Sequence, residues 1–169
     1  RGGILNDIAE SSGGYVMIST TGNDYTQDRD VLVRMLDQDG TVQWENSYGT
    51  TDKDVSKSIT VSAGTIGMAG TVTYADETSD IRVIGINFSG DITWQYTFDG
   101  GYDDRASSIR ATSDGGFIIG TNTDINETDK GVVLLKLSNS GSLEWQKLYP
   151  DKIISNDQDA LTPVSGGDY

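Results

Sequence analysis

The chain repeats itself at a fixed step. Gly13, Gly64, Gly115 and Gly166 fall 51 residues apart. Trp44, Trp94 and Trp145 follow at steps of 50 and 51; Gly40, Gly90 and Gly141 keep that step, and so do Tyr48, Phe98 and Tyr149. Registers that stay in phase mean that one structural unit is built three times, with the start of a fourth. Such a unit buries its apolar face only against a neighbouring copy.

Within one period the residues read as strands. "GGYVMISTT" and "GGFIIGTNT" leave a glycine pair for apolar and β-branched residues. "DVLVRMLD", "DIRVIGIN" and "GVVLLKLS" are short apolar runs, each followed by a turn ("QDG", "FSG", "NSG") and a Trp-bearing segment. A further segment follows, as in "DVSKSITVSAG", where Val55, Lys57, Ile59 and Val61 alternate. Each period therefore offers about four strands joined by Gly/Asn/Asp/Ser turns. No segment carries a capped helical periodicity, so the fold class is all-β.

Four antiparallel strands in about 51 residues are the dimensions of a β-propeller blade. The run Val132, Val133, Leu134, Leu135 is apolar on both strand faces, as a sheet stacked between two others requires. A β-solenoid is the competing stacked architecture, but its coils are usually shorter. The periods run over residues 1–51, 52–102 and 103–153, with a partial copy over 154–169. Gly40, Gly90 and Gly141 sit where a hairpin calls for positive φ. Trp44, Trp94 and Trp145, four residues on, are expected to be buried inter-blade staples. A fully buried indole takes about 150–250 Å² out of water, roughly 4–6 kcal/mol before entropy.

The stretch "DDRASSIRATSDGGFIIGTNTD", continuing into "KGVVLLKLSNSGSLEWQKLYP", resembles a β-propeller repeat of secreted and cell-surface bacterial proteins, notably of Bacteroidetes. The Gly-x-x-x-Trp portion is similar to the docking motif of quinoprotein-type propellers. The resemblance spans nearly the whole chain in about 3.3 copies, departing in the second, where "SAGTIGMAG" replaces the usual Asp-Gly-Gly start. It implies propeller blades in an extracellular or cell-surface setting, used as an interaction module. Closed propellers typically need 4–8 blades. The ring is therefore expected to be completed by further blades of a longer chain or by other copies.

Charge and composition narrow the chemistry. Asp plus Glu number 26 against 12 Lys plus Arg, a formal charge of −14, which repels nucleic acid and anionic lipid. No run of about 18 apolar residues is present, so no helical membrane insertion is expected. With no His and no Cys, a Ser-His-Asp triad, thiol catalysis and zinc-thiolate sites are excluded. A glycosidase needs only two carboxylates, but nothing in the sequence singles out a pair. The six arginines Arg1, Arg29, Arg34, Arg82, Arg105 and Arg110 are scattered over different registers, unlike a cluster built for a substrate carboxylate.

The loops between second and third strands, "GNDYTQDRD", "TYADETSD" and "NTDINETDK", are acidic. Asp24, Asp28 and Asp30, and Asp124, Asn126, Glu127 and Asp129, offer oxygens suited to Ca²⁺. "DINETD" lacks the central Gly and terminal Glu of an EF-hand, and solvated acidic turns are the simpler reading. Asp52 and Asp103, one repeat apart, are expected to cap turns. The expectation is a non-enzymatic module without a catalytic or cofactor site apart from calcium. Its expected partner is a protein or glycan at the cell surface. The alternatives are a carbohydrate-active propeller and a subunit that self-assembles through open blade edges.

Overall fold

The computed structural model describes residues 3–22 and 29–150. They form three four-stranded antiparallel sheets, each a meander in chain order, with no helix among the described residues. The first holds β1 (Gly3–Ser11), β2 (Gly14–Thr21), β3 (Val31–Leu36) and β4 (Val42–Tyr48). The second holds β5 (Lys53–Ser62), β6 (Thr65–Thr73), β7 (Ser79–Ile86) and β8 (Ile92–Phe98). The third holds β9 (Asp104–Ala111), β10 (Phe117–Asp124), β11 (Lys130–Leu137) and β12 (Leu143–Pro150).

The hairpin ahead of each Trp strand is built the same way three times. Gly40, Gly90 and Gly141 have φ of 80°, 88° and 78°, a conformation that costs an L side chain energy and glycine little. Asp37, Asn87 and Ser138 close these turns from the side chain. Asp37 Oδ1 accepts the amides of Asp39 and Thr41, Asn87 Oδ1 those of Ser89 and Asp91, and Ser138 Oγ that of Ser142.

The sheets stack with two cores between them. Val16, Ile18, Val31 and Val33 of the first sheet meet Ile59, Ile66, Met68, Ile84 and Ile86 of the second. Ala69, Ile81, Val83 and Phe98 of the second meet Ile109, Phe117, Ile119, Val133, Leu135 and Leu137 of the third. Along β7 the two faces alternate: Ile81 and Val83 serve one core, Ile84 and Ile86 the other. That is why the third-strand sequence reads as a continuous apolar run. Gly67 makes room for Phe117, since a Cβ there would lie 2.6 Å from the ring.

Contacts between sheets concentrate along their first strands: β1 lies against β5, and β5 against β9. Polar side chains tie this seam. Asn6 Oδ1 accepts Thr20 Oγ1 (3.1 Å) and Ser56 Oγ (2.8 Å), and the Ser56 amide donates to Thr20 Oγ1. One repeat later the Ala106 amide donates to Thr71 Oγ1 at 3.2 Å. Ser58 Oγ donates to Asp7 Oδ2 and receives Arg110 Nη1, so one chain of bonds crosses all three sheets. Asn6, Lys57 and Ser107 are extra residues bulged out of β1, β5 and β9. Gln43, Thr93 and Glu144 bulge out of β4, β8 and β12 just before each Trp. A bulge bends its strand and re-aims the next side chain.

The tryptophans depart from the expectation of burial. Trp44 and Trp94 are half-buried, and Trp145 is 45% exposed. They sit on the fourth strands, away from the seam where the sheets are packed closest. The enclosed packing comes instead from the aliphatic side chains together with Tyr48, Phe98 and Phe117.

Candidate functional site

Two kinds of site emerge where one sheet meets the next: a directional aromatic contact and a cluster of carboxylates. In the first, Trp44 Nε1 donates to Phe88 O at 2.9 Å, and Tyr48 Oη donates to Gly90 O at 2.7 Å. One sheet on, Trp94 Nε1 donates to Asn139 O at 2.9 Å, and its ring lies 5.6 Å from that of Phe117 at 55°. In both, the indole of one sheet holds the Gly turn of the following sheet. A Cβ on Gly90 would collide with Asn46, and one on Gly141 with Trp94, whereas one on Gly40 would meet nothing within 4 Å among the described residues. Among the described residues, the Gly40 turn and Trp145 are thus the members of the series without the inter-sheet contact.

The carboxylate site is built at the links between sheets. After β4 the chain turns at Thr50, whose amide and Oγ1 both donate to Asp54 Oδ2 (2.6 and 2.8 Å). Asp54 is buried, and its Oδ1 takes Arg82 Nη1 at 3.1 Å. After β8 the same turn recurs with Gly100, whose amide donates to Asp104 Oδ2 at 2.5 Å. Capping is done by Asp54 and Asp104 rather than by Asp52 and Asp103. Asp52 gives its amide to Thr50 Oγ1, and Asp103 lies 3.6 Å from Arg105. Sequence spacing could not choose between neighbouring aspartates, because only the strand register shows which carboxylate turns inward.

The second link lacks the arginine. Arg82 stands opposite Gly70 in β6, and the equivalent residue in the third sheet, opposite Thr121 in β10, is Val133. Asp104 is fully buried, and its Oδ1 has no hydrogen-bond partner among the described residues. Two further carboxylates stand beside it, Asp80 at the start of β7 and Asp99 just after β8. One oxygen from each of the three lies within 4.8 Å of the others. Like charges at such a distance repel by roughly 1 kcal/mol in water and about 3 at an effective dielectric of 20. Burial pushes the Asp104 carboxyl above its ordinary value, Thr123 and the Gly100 amide pull it back, and Asp80 and Asp99 push it further up.

Tyr74 Oη donates to Asp80 Oδ2 at 2.8 Å. Burial, then this bond and the charges of Asp80, Asp52 and Asp99, push its hydroxyl up to about 12, so it remains a donor at neutral pH. Tyr74 also lines a cleft of about 440 Å³ with Thr51, Asp52, Lys53, Thr73, Ala75 and Glu77. The cleft wall thus combines an aromatic ring, hydroxyls and charges of both signs.

The loop residues considered for calcium are placed otherwise. Asp24 and Asp28 lie outside the described residues. Asp30 precedes β3, where its carboxylate lies against Gly49. Lys130 Nζ reaches both oxygens of Asp124 (2.7 and 2.8 Å). Asn126 Oδ1 accepts the amides of Thr128 and Asp129, and Asn126 Nδ2 donates to Asp129 Oδ2. That loop closes on itself through these bonds. The convergent acidic group among the described residues is Asp80, Asp99 and Asp104. Its signal in the sequence was the replacement of Arg82 by Val133 one repeat on, visible only once the register is known.

No family model matches the chain, and no curated protein matches it. The likeness to cell-surface propeller repeats therefore rests on the repeated motif.

Proposed function

We propose that the chain is a run of β-propeller blades that serves as a non-enzymatic binding or scaffold module at a bacterial cell surface, within an adhesin or surface filament protein. The observation that carries this reading is the one-way contact repeated between successive sheets, Trp44 onto the Phe88–Gly90 turn and Trp94 onto the Asn139–Gly141 turn. Combined with first strands drawn together along a seam, it is the packing that a radial stack of blades needs. The formal charge of −14 and the secreted-type repeat motif support an extracellular setting. A glycan array probed with and without calcium, followed by analysis for released sugar, tests the reading. Binding without turnover is expected; turnover would replace it with the carbohydrate-active alternative, for which the cleft beside Tyr74 is the place to look.

A second reading is favoured by the exposed Trp145 and the uncovered Gly40 turn. They are complementary halves of the contact already made twice within the chain. A second copy could seat its Gly40 turn on Trp145 head to tail, making the chain a self-assembling subunit.

A further inference from the structure

We propose that Asp80, Asp99 and Asp104 form a divalent-cation site, matched best by calcium, that clips the second sheet to the third. The three carboxylates come from β7, the link after β8 and the first residue of β9, so an ion held by all of them would bridge two sheets. The buried Asp104 Oδ1 is the second observation that points to a ligand, because it has no hydrogen-bond partner among the described residues. A buried, unpaired carboxylate oxygen is costly to leave without a counter-charge.

The preceding repeat acts as an internal control. There the corresponding oxygen, Asp54 Oδ1, is met by the Arg82 guanidinium at 3.1 Å. In the third sheet the place of that arginine is taken by Val133, a member of the apolar core; Asp80 has its counterpart in Asp30, and Asp99 adds a carboxylate where the preceding link has Gly49. The site has lost a built-in cation and gained one acidic side chain, Asp99.

An oxygen of each carboxylate is held in place. Asp80 Oδ2 takes the Tyr74 hydroxyl, Asp99 Oδ1 the Gly101 amide at 2.8 Å, and Asp104 Oδ2 the Gly100 amide. These bonds orient the carboxylates before any ion arrives. An all-oxygen donor set suits calcium or magnesium, whereas zinc favours nitrogen and sulfur. Calcium accepts oxygens at about 2.3–2.6 Å in flexible geometry, so ligands on opposite sides of it stand about 5 Å apart. Magnesium demands a tighter octahedron. Asp99 is exposed, which leaves an entry path and room for water ligands. Three protein carboxylates place the affinity in the range of extracellular calcium modules, about 10⁻⁴–10⁻³ M.

The proposal stands independently of the binding-module reading. Its test is thermal unfolding of the full chain, stripped with chelator and then titrated with calcium or magnesium chloride. The unfolding midpoint is expected to rise by about 3–8 °C at about 5 mM calcium, and by much less with magnesium. Asp99→Asn, at an exposed position, should melt like the parent without calcium and lose most of the rise. Asp104→Asn should also lose it, while melting higher than the parent in chelator. Asp124→Asn combined with Asp129→Asn should keep it. Terbium luminescence excited through tyrosine should appear with the parent, fall on adding calcium and be lost in Asp99→Asn. Should Asp104→Asn fail to fold, Asp99→Asn decides alone. A parent that shows no rise, or a rise undiminished in Asp99→Asn, would overturn the proposal.

Discussion

At the residue scale, three tryptophans at one repeat position have three different amounts of work. Trp94 donates to Asn139 O, covers Gly141 and packs near Phe117, whereas Trp145 is 45% exposed. Trp94→Ala is therefore expected to destabilise the fold by about 2–4 kcal/mol, below the range for a fully enclosed Trp, and Trp145→Ala by about 0.5 or less. Urea unfolding of the two variants at low protein concentration checks this; equal losses would contradict the directional contact. The spacing identified these positions in the sequence. It could not rank them, because the rank depends on which turn lies across from each indole.

At the element scale, the β9–β10 hairpin carries its own pH dependence. Lys136 of β11 is buried, with Nζ 2.9 Å from Asp114 and 3.0 Å from Glu144. Asp114 is held well below its ordinary value of 3.8 by Thr112, Lys136 and the Gly116 amide. A depressed carboxyl stabilises the fold above that ordinary value, and the contribution is lost as pH falls below it and on through the folded value. Burial lowers the Lys136 ammonium, but its bonds to Asp114 and Glu144 outweigh this and leave it above its ordinary 10.5. Its contribution is complete below 10.5 and is lost as pH rises through the higher folded value. Unfolding midpoints measured across pH should therefore fall at both ends, and Asp114→Asn should lessen the acid loss. An acid limb unchanged in that variant would show that Asp114 is not its source. The hairpins themselves were legible: turn glycines and alternating apolar residues set them. Bulges at Asn6, Lys57 and Ser107 were not, since an extra residue leaves no mark on composition and shows only in the pairing.

At the scale of the whole molecule, the stack offers an exposed indole on its third sheet and, on its first, a glycine turn that none of the described residues covers. The apolar residues Ile4, Leu5 and Ile8 of β1, and Leu143 and Leu148 of β12, are also exposed. Such surfaces on a repeat stack favour association. Sedimentation velocity over a concentration series is expected to show growth beyond the monomer, reduced in Trp145→Ala. A chain that stays monomeric throughout would count against the self-assembly reading.

The sequence by itself determined the all-β class, the four-stranded period, the turn glycines and the exclusion of histidine- or cysteine-based chemistry. Those follow from local rules: backbone conformation at glycine, strand periodicity, and which side chains exist to react. Only the tertiary structure decided that Asp54 and Asp104 point inward, that Arg82 neutralises one, and that Asp80 and Asp99 gather at the other. It also set how far each Trp is buried. Side chains separated by about 20 residues come within a few ångströms through strand pairing and sheet stacking, and a one-residue shift in register would send each to the opposite face.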